Sequence, residues 1–161
     1  SSVERHEMTV YEISPDTLGT FDFVFVGSLL LHLRDPVGAL ERIRSVANGE
    51  VVCNDTIEYV LSRVLPGTPM ARLDPEDRVW WWQPNLAALR SMVEQAGLEI
   101  LECGKPYFVP FGSRYERPPQ GPRDTLRRLL TPRGWEQLVM YRRGIAHVAM
   151  RCRPLVSSSA A

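Results

Sequence analysis

The apolar and polar positions of the chain fall into blocks whose periods assign most of its elements. Met8 to Ile13 (MTVYEI) is a short strand-like run, closed by the breakers Ser14-Pro15-Asp16 and the turn residue Gly19. Phe21 to Val26 (FDFVFV) is so dense in aromatic and β-branched residues that it reads as a strand buried on both faces. Asp35-Pro36 then opens a helix, because Asp35 can cap and Pro36 suits a first turn, and Val37, Leu40, Ile43 and Val46 follow at helical spacing. Asn48-Gly49 ends it, and Glu50 to Asp55 (EVVCND) is the next buried strand. Strand, helix, strand with short connections is a right-handed crossover, which predicts a parallel sheet carrying helices.

Farther on, Ile57 to Leu65 reads as helix and is stopped by Pro66-Gly67. Thr68 to Gln83 is irregular and includes Trp80-Trp81-Trp82. Pro84-Asn85 begins a helix whose apolar residues Leu86, Leu89, Met92, Val93 and Ala96 share one face, ended by Gly97. Leu98 to Cys103 and Ile145 to Arg153 alternate as strands. Between them lie a Pro- and Gly-rich loop, Lys105 to Gln120, and two short helices, Asp124 to Leu130 and Gly134 to Arg143. The tail Ser157 to Ala161 is expected to fray.

Composition narrows the class. The 161 residues are 44% hydrophobic and 24% charged, which fits one globular domain and excludes a disordered or fibrous chain. Nineteen basic and nineteen acidic residues cancel, so no global field recruits nucleic acid or an anionic membrane. The apolar run Phe23 to Leu33 is too short to span a bilayer. Three widely spaced cysteines, Cys53, Cys103 and Cys152, match neither a disulfide framework nor a zinc site, and point to a cytoplasmic location. Each falls in an expected strand, where a thiol serves as a small apolar filler. The chain opens Ser-Ser-Val-Glu with no signal-peptide pattern, and is expected to be a piece of a longer protein.

One stretch is more specific than generic α/β. Phe21-Asp22-Phe23-Val24, Leu30, His32-Leu33 and Asp35-Pro36 stand at the spacing FDxVxxxxxLxHLxDP. Trp82, Pro84-Asn85, Leu89 and Ala96-Gly97-Leu98 follow WxPNxxxLxxxxxxAGF except for Leu98. Over Val10 to Cys103 the chain resembles the second half of class I S-adenosylmethionine-dependent methyltransferases. It is similar in particular to the branch that includes the tRNA wobble-uridine carboxymethyl-transfer enzymes, although Leu31 stands where that branch usually has an aromatic residue. The resemblance implies an α/β fold with a partial Rossmann-like sheet, mostly parallel with an antiparallel last strand. It also implies a departure. The family's glycine-rich cofactor turn follows its first strand, whereas the eleven glycines here include no Gly-x-Gly. The chain aligns from just before the family's third strand and so lacks the first two, which the family places in the middle of the sheet. Residues 1–161 then form a single incomplete domain, with an Arg-rich insertion over 104–144 between the last two strands.

The same resemblance assigns roles. S-adenosylmethionine would meet Glu12 and Ile13 at the end of one strand and Gly27 and Ser28 after the next, its binding requiring the absent amino-terminal residues. Ligands of doubly wound sheets gather at the carboxyl ends of the strands. His32 and Asp55 lie near those ends as catalytic candidates, with Glu58 and Tyr59 on the substrate side. A packed structural histidine and a helix cap are the plain alternatives for the first two. Arg72 and Arg78 with Trp80 and Trp82 can form an aromatic, cationic wall over a planar substrate, against the alternative that the indoles cover a contact. From Arg114 to Arg143, eight arginines face Glu116, Asp124 and Glu136, and Tyr115, Trp135 and Tyr141 are interleaved. That patch can receive RNA, or be a solvated face with local ion pairs. No metal-ligand spacing is visible.

The leading expectation is methyl transfer to a small-molecule or RNA acceptor, with this chain supplying the substrate-side half and no membrane involved. The missing amino-terminal half or a second copy is the expected partner. The alternatives are a non-catalytic methyltransferase-like module for dimerisation or partner binding, and another nucleotide-binding α/β enzyme.

Overall fold

The computed structural model describes residues 3–73, 80–112, 121, 126 and 128–155. The strands are β1 (Phe21–Gly27), β2 (Ala47–Thr56), β3 (Ala71–Leu73), β4 (Trp82–Pro84), β5 (Leu98–Cys103), β6 (Tyr107–Val109) and β7 (Ile145–Pro154). The helices are α1 (Pro15–Leu18), α2 (Pro36–Ser45), α3 (Tyr59–Val64), α4 (Leu86–Gln95) and α5 (Pro132–Arg143). The main sheet has the order β1-β2-β7-β5, and β6 continues along β7 where β5 leaves it. β1 and β2 are parallel, while β7 runs against β2, β5 and β6. Every strand of this sheet except β7 therefore points the same way.

The crossover from β1 through α2 to β2 forms as its residues demand. The Asp35 carboxylate accepts the Gly38 N–H at 2.8 Å, Pro36 fills the first turn, and Leu40 and Ile43 turn inward. α4 repeats the design with Asn85, whose side-chain oxygen accepts the Ala88 N–H at 2.9 Å. Asn85 is fully buried, and its amide also donates to the carbonyls of Leu65 and Thr68, so one side chain ties α4 to the preceding loop. Gly97 follows α4 at φ +77°, a left-handed turn that favours glycine. Leu40, Leu89 and Val93 from α2 and α4 pack on Val51, Cys53, Val148, Met150 and Cys152, burying one face of the sheet.

The opposite face departs from the expectation for β1. Phe21, Phe23 and Phe25 alternate with buried Val26, but stand out in solvent, Phe23 and Phe25 at 58% and 60% exposure. β1 is buried on one face only, and it is the outermost strand on its side. Beyond Phe25, the same face carries ion pairs of Arg151 with Glu50 and Glu102, and of Arg153 with Glu99. A strand reads as doubly buried when its sequence is apolar throughout, but burial needs a covering layer. Among the described residues none covers these phenylalanines.

Three further expectations are corrected. Met8 to Ile13 forms no strand. Residues Val10–Glu12 make a 3-10 turn, closed by Glu12 accepting the Thr9 N–H at 2.6 Å and its hydroxyl at 2.8 Å. A strand needs a neighbour, and this segment instead docks on the start of α2, where the Tyr11 hydroxyl donates to the Asp35 carbonyl at 3.1 Å. The irregular stretch before α4 contains the antiparallel pair β3–β4, and the expected loop 105–120 contains β6. Three-residue strands are too short to carry a period. Arg78, Tyr115, the last six residues and much of the segments 104–120 and 124–130 lie outside the described residues.

Candidate functional site

The carboxyl ends of β1 and β2, with the start of β7, meet at one edge of the sheet. Asp55, near the end of β2, is 1% exposed. One carboxylate oxygen accepts the N–H groups of Leu29 and Leu30 at 2.9 and 2.8 Å, and the other accepts that of Thr56 at 2.7 Å. These bonds hold the turn that leaves β1, so Asp55 fixes the path of Gly27, Ser28 and the 3-10 turn Leu30–His32. His32 ends that turn with its side chain on the surface. Asp55 also lines an apolar crevice with Leu31, Trp82, Leu89 and Met92.

Gly27, the last residue of β1, and Ser28 directly after it are exposed. Ser28 adopts φ +48°, a left-handed conformation that is uncommon for a residue other than glycine. Its N–H donates to the Asn54 carbonyl at 2.9 Å, and its hydroxyl lies 3.2 Å from Nε2 of His147. His147 is 6% exposed and its Nδ1 lies 3.0 Å from the Ile145 carbonyl. A carbonyl only accepts, so Nδ1 carries a hydrogen, and in the neutral tautomer Nε2 presents its lone pair to Ser28. Tyr107 stacks on the imidazole with ring centroids 5.9 Å apart, and its hydroxyl donates to the Asn54 side chain at 2.9 Å.

A second group forms where α3 begins. Glu58 is 3% exposed and accepts the Leu61 N–H at 3.1 Å, while Glu136 from α5 accepts those of Tyr59 and Val60 at 3.2 and 2.8 Å. Burial, and then the nearby Glu136 charge, push the Glu58 carboxyl up to about 7, against the opposing pull of the Leu61 N–H and Arg72. Burial raises Glu136 as well, against its backbone hydrogen bonds and Arg72. Arg72 is in turn held by Gln83 across the β3–β4 pair. Tyr59 meets Phe108 edge-on at 5.0 Å.

The Glu58 carboxyl binds its proton more tightly in the folded chain than in the unfolded one. It therefore stabilises the fold fully below the ordinary carboxylate range, and that contribution is lost as pH rises toward about 7. The loss is on the order of 2 kcal/mol after solvent screening. Glu58→Gln keeps an oxygen for the Leu61 N–H and removes the charge. Thermal melts should show the variant gaining on the wild type between pH 5 and pH 8. Parallel melting curves for the two proteins would contradict this.

The tryptophans pin the turn after β1. The Trp81 N–H donates to the Leu31 carbonyl at 2.7 Å, the Trp82 indole donates to the Arg34 carbonyl at 2.9 Å, and the Arg34 guanidinium lies 4.3 Å over the Trp81 ring. Trp80 is half-buried beside them. Glu12 ends the 3-10 turn on α2 and Ile13 follows it, with the Glu12 carboxyl held below its ordinary range by its hydrogen bonds to Thr9. The cysteines are all free thiols, each pushed up chiefly by burial, Cys152 to about 11. Among the described residues no cluster of His, Cys, Asp or Glu could hold a metal, and no helix is long and apolar enough to cross a membrane.

The edge thus unites Gly27, Ser28, Asp55, Glu58 and Tyr59, all singled out from sequence, with Asn54, Tyr107, Glu136 and His147, which were not. His147 sits within the alternation IAHVAMRCR, where one histidine reads as core, and its partner Ser28 is 119 residues away. Glu136 was counted only as a counter-charge in the Arg-rich patch.

No family model matches the chain, and no curated protein matches it. Solved structures do. A proposed S-adenosylmethionine-dependent methyltransferase from Listeria monocytogenes superposes with a TM-score of 0.51 at 9% identity, covering 94% of this chain and 68% of its own. A proposed sarcosine dimethylglycine methyltransferase from Galdieria sulphuraria gives 0.51 at 15% identity, covering 92% of this chain and 57% of its own. The O-methyltransferase of a trans-AT PKS multienzyme from Brevibacillus brevis, in complex with S-adenosyl-L-homocysteine, gives 0.49 at 16%, covering 84% and 44%. The chain spans about half the length of the last two. It has the Rossmann-like fold of these methyltransferases, in a mixed α/β sheet.

Proposed function

We propose that this chain is the substrate-side half of an S-adenosylmethionine-dependent methyl-transfer domain, acting on a small-molecule acceptor. The observation that carries this reading is the sheet order β1-β2-β7-β5 with β7 alone reversed, ending at a bare β1. Class I methyltransferases, which the sequence resembles, place their cofactor-holding strands next to the strand that β1 matches. Here that edge and the Phe23–Phe25 face await a covering half from elsewhere in the protein.

The residues present offer one flank of a cofactor site. Gly27 and Ser28 are exposed at the end of β1, but Glu12 and Ile13 are not at a strand end and Glu12 is engaged with Thr9. The described residues hold no glycine-rich turn. They do not make a complete cradle. S-adenosylmethionine, when bound, supplies an electrophilic methyl group. Asp55 is the positioning residue that sets the Gly27–His32 turn, and His32, Glu58, Tyr59, Arg72, Trp80 and Trp82 border the acceptor. The RNA reading and the wobble-uridine branch rest on sequence alone.

The test uses a longer chain that supplies the strands beside β1. S-adenosylhomocysteine should bind it, and Gly27→Leu should abolish that binding while leaving the circular dichroism unchanged. A Cβ at 27 would have the movable Phe25 ring as its nearest neighbour, at 2.6 Å, so the fold should adapt. Undiminished binding by Gly27→Leu would remove Gly27 from the site. The second reading, a non-catalytic module, is favoured by the exposed phenylalanines, which suit association as well as completion of the sheet. A completed protein that folds but binds no S-adenosylhomocysteine would select it.

A further inference from the structure

We propose that Ser28 and His147 form a proton-transfer pair that accepts the proton of a neutral hydroxyl ligand, an alcohol or phenol. Its use in methyl transfer rests on the function proposed above, but the pair itself stands on geometry. The Ser28 hydroxyl is the exposed member, at the carboxyl ends of the strands, and the buried imidazole lies behind it at 3.2 Å. The Ile145 carbonyl fixes the hydrogen on Nδ1, and Tyr107 stacked on the ring holds its plane. Nε2 is thereby left as a base aimed at Ser28. The left-handed backbone of Ser28 is a local strain of the kind that concentrates at functional sites.

The proton balance is simple. The ligand O–H bond breaks and its proton passes to Ser28 Oγ, as the Ser28 proton passes to Nε2. The ligand oxygen keeps the bonding pair, and His147 becomes an imidazolium. The choice of ligand follows from the surroundings. Ser28, Asn54 and Tyr107 are uncharged hydrogen-bonding groups, and the nearby Asp55 carboxylate is turned to three backbone N–H groups. A carboxylate acceptor needs no base, and an ammonium finds no free counter-charge among these groups.

The pair can be tested without cofactor or acceptor, by treating the 161-residue chain with an alkyl fluorophosphonate and mapping the adduct by mass spectrometry. Ser28 Oγ attacks phosphorus, the P–F bond breaks, fluoride leaves, and the Ser28 proton goes to Nε2. Ser28 should be labelled in preference to the other serines, and His147→Gln should slow its labelling about 100-fold, the scale of general-base assistance. If His147→Gln does not fold, the wild-type rate in D2O gives the answer: slower when a proton moves in the transition state, unchanged when the hydroxyl acts unaided. Phenol at millimolar concentration should protect Ser28, whereas acetate and methylammonium should not. Absence of a Ser28 adduct, labelling independent of His147, an unchanged rate in D2O, or equal protection by acetate overturns the proposal. Because no methyl donor is present, these results stand apart from binding of S-adenosylhomocysteine by the completed protein, which tests the function itself.

Discussion

Asp55→Ala is expected to unfold the chain at a markedly lower urea concentration than the wild type. The substitution leaves the N–H groups of Leu29, Leu30 and Thr56 without their acceptor, at a residue that is 1% exposed. Each orphaned buried donor costs about 1–3 kcal/mol, so the sum is on the order of 4 kcal/mol after partial rescue by water. That is a large part of the roughly 5–15 kcal/mol that holds an ordinary domain. Asp55→Asn should recover part of the loss, since one amide oxygen still accepts while the NH2 does not. Chemical denaturation followed by circular dichroism measures both. A midpoint for Asp55→Ala close to the wild type would mean that the turn after β1 is held by other contacts.

Replacing Phe23 and Phe25 with lysine should abolish concentration-dependent self-association of the isolated chain. An outermost strand presents unpaired N–H and C=O groups, and aromatic side chains beside them add an apolar surface that water does not favour. Aromatic anchors at interfaces are worth about 2 kcal/mol each, close to thirtyfold in affinity apiece. Sedimentation should therefore give a mass that rises with concentration for the wild type and stays monomeric for the double variant. Association that persists in the variant would place the contact elsewhere on the surface.

How far the chain could be read in advance depended on where each element finds its stabilisation. α2 and α4 were readable because their information is local: Asp35 and Asn85 cap them, and Leu40, Ile43, Leu89 and Val93 repeat at helical spacing. β2, β5 and β7 announced themselves by apolar content or alternation, and all three strand-borne cysteines proved to be free thiols. Met8 to Ile13 failed because strand formation depends on a neighbour that local sequence does not contain. Phe21 to Val26 gave the right element and the wrong burial, for the same reason: a covering layer is a property of the assembly. At the site, Gly27, Ser28, Asp55 and Glu58 could be placed at the sheet edge from sequence because they lie at strand ends or just beyond them. His147, Tyr107 and Glu136 arrive from distant segments, and only the folded register of β7 and α5 brings them to that edge.

As proposed, these residues form one wing of a cofactor-cradling sheet whose middle lies outside them. Isothermal calorimetry of S-adenosylhomocysteine against the isolated 161-residue chain tests it most directly. No measurable heat of binding is expected at micromolar concentrations, because the described residues provide one exposed flank, Gly27 and Ser28, and no glycine-rich turn. A saturable isotherm with micromolar affinity would contradict it, since the chain would then hold a complete site of its own.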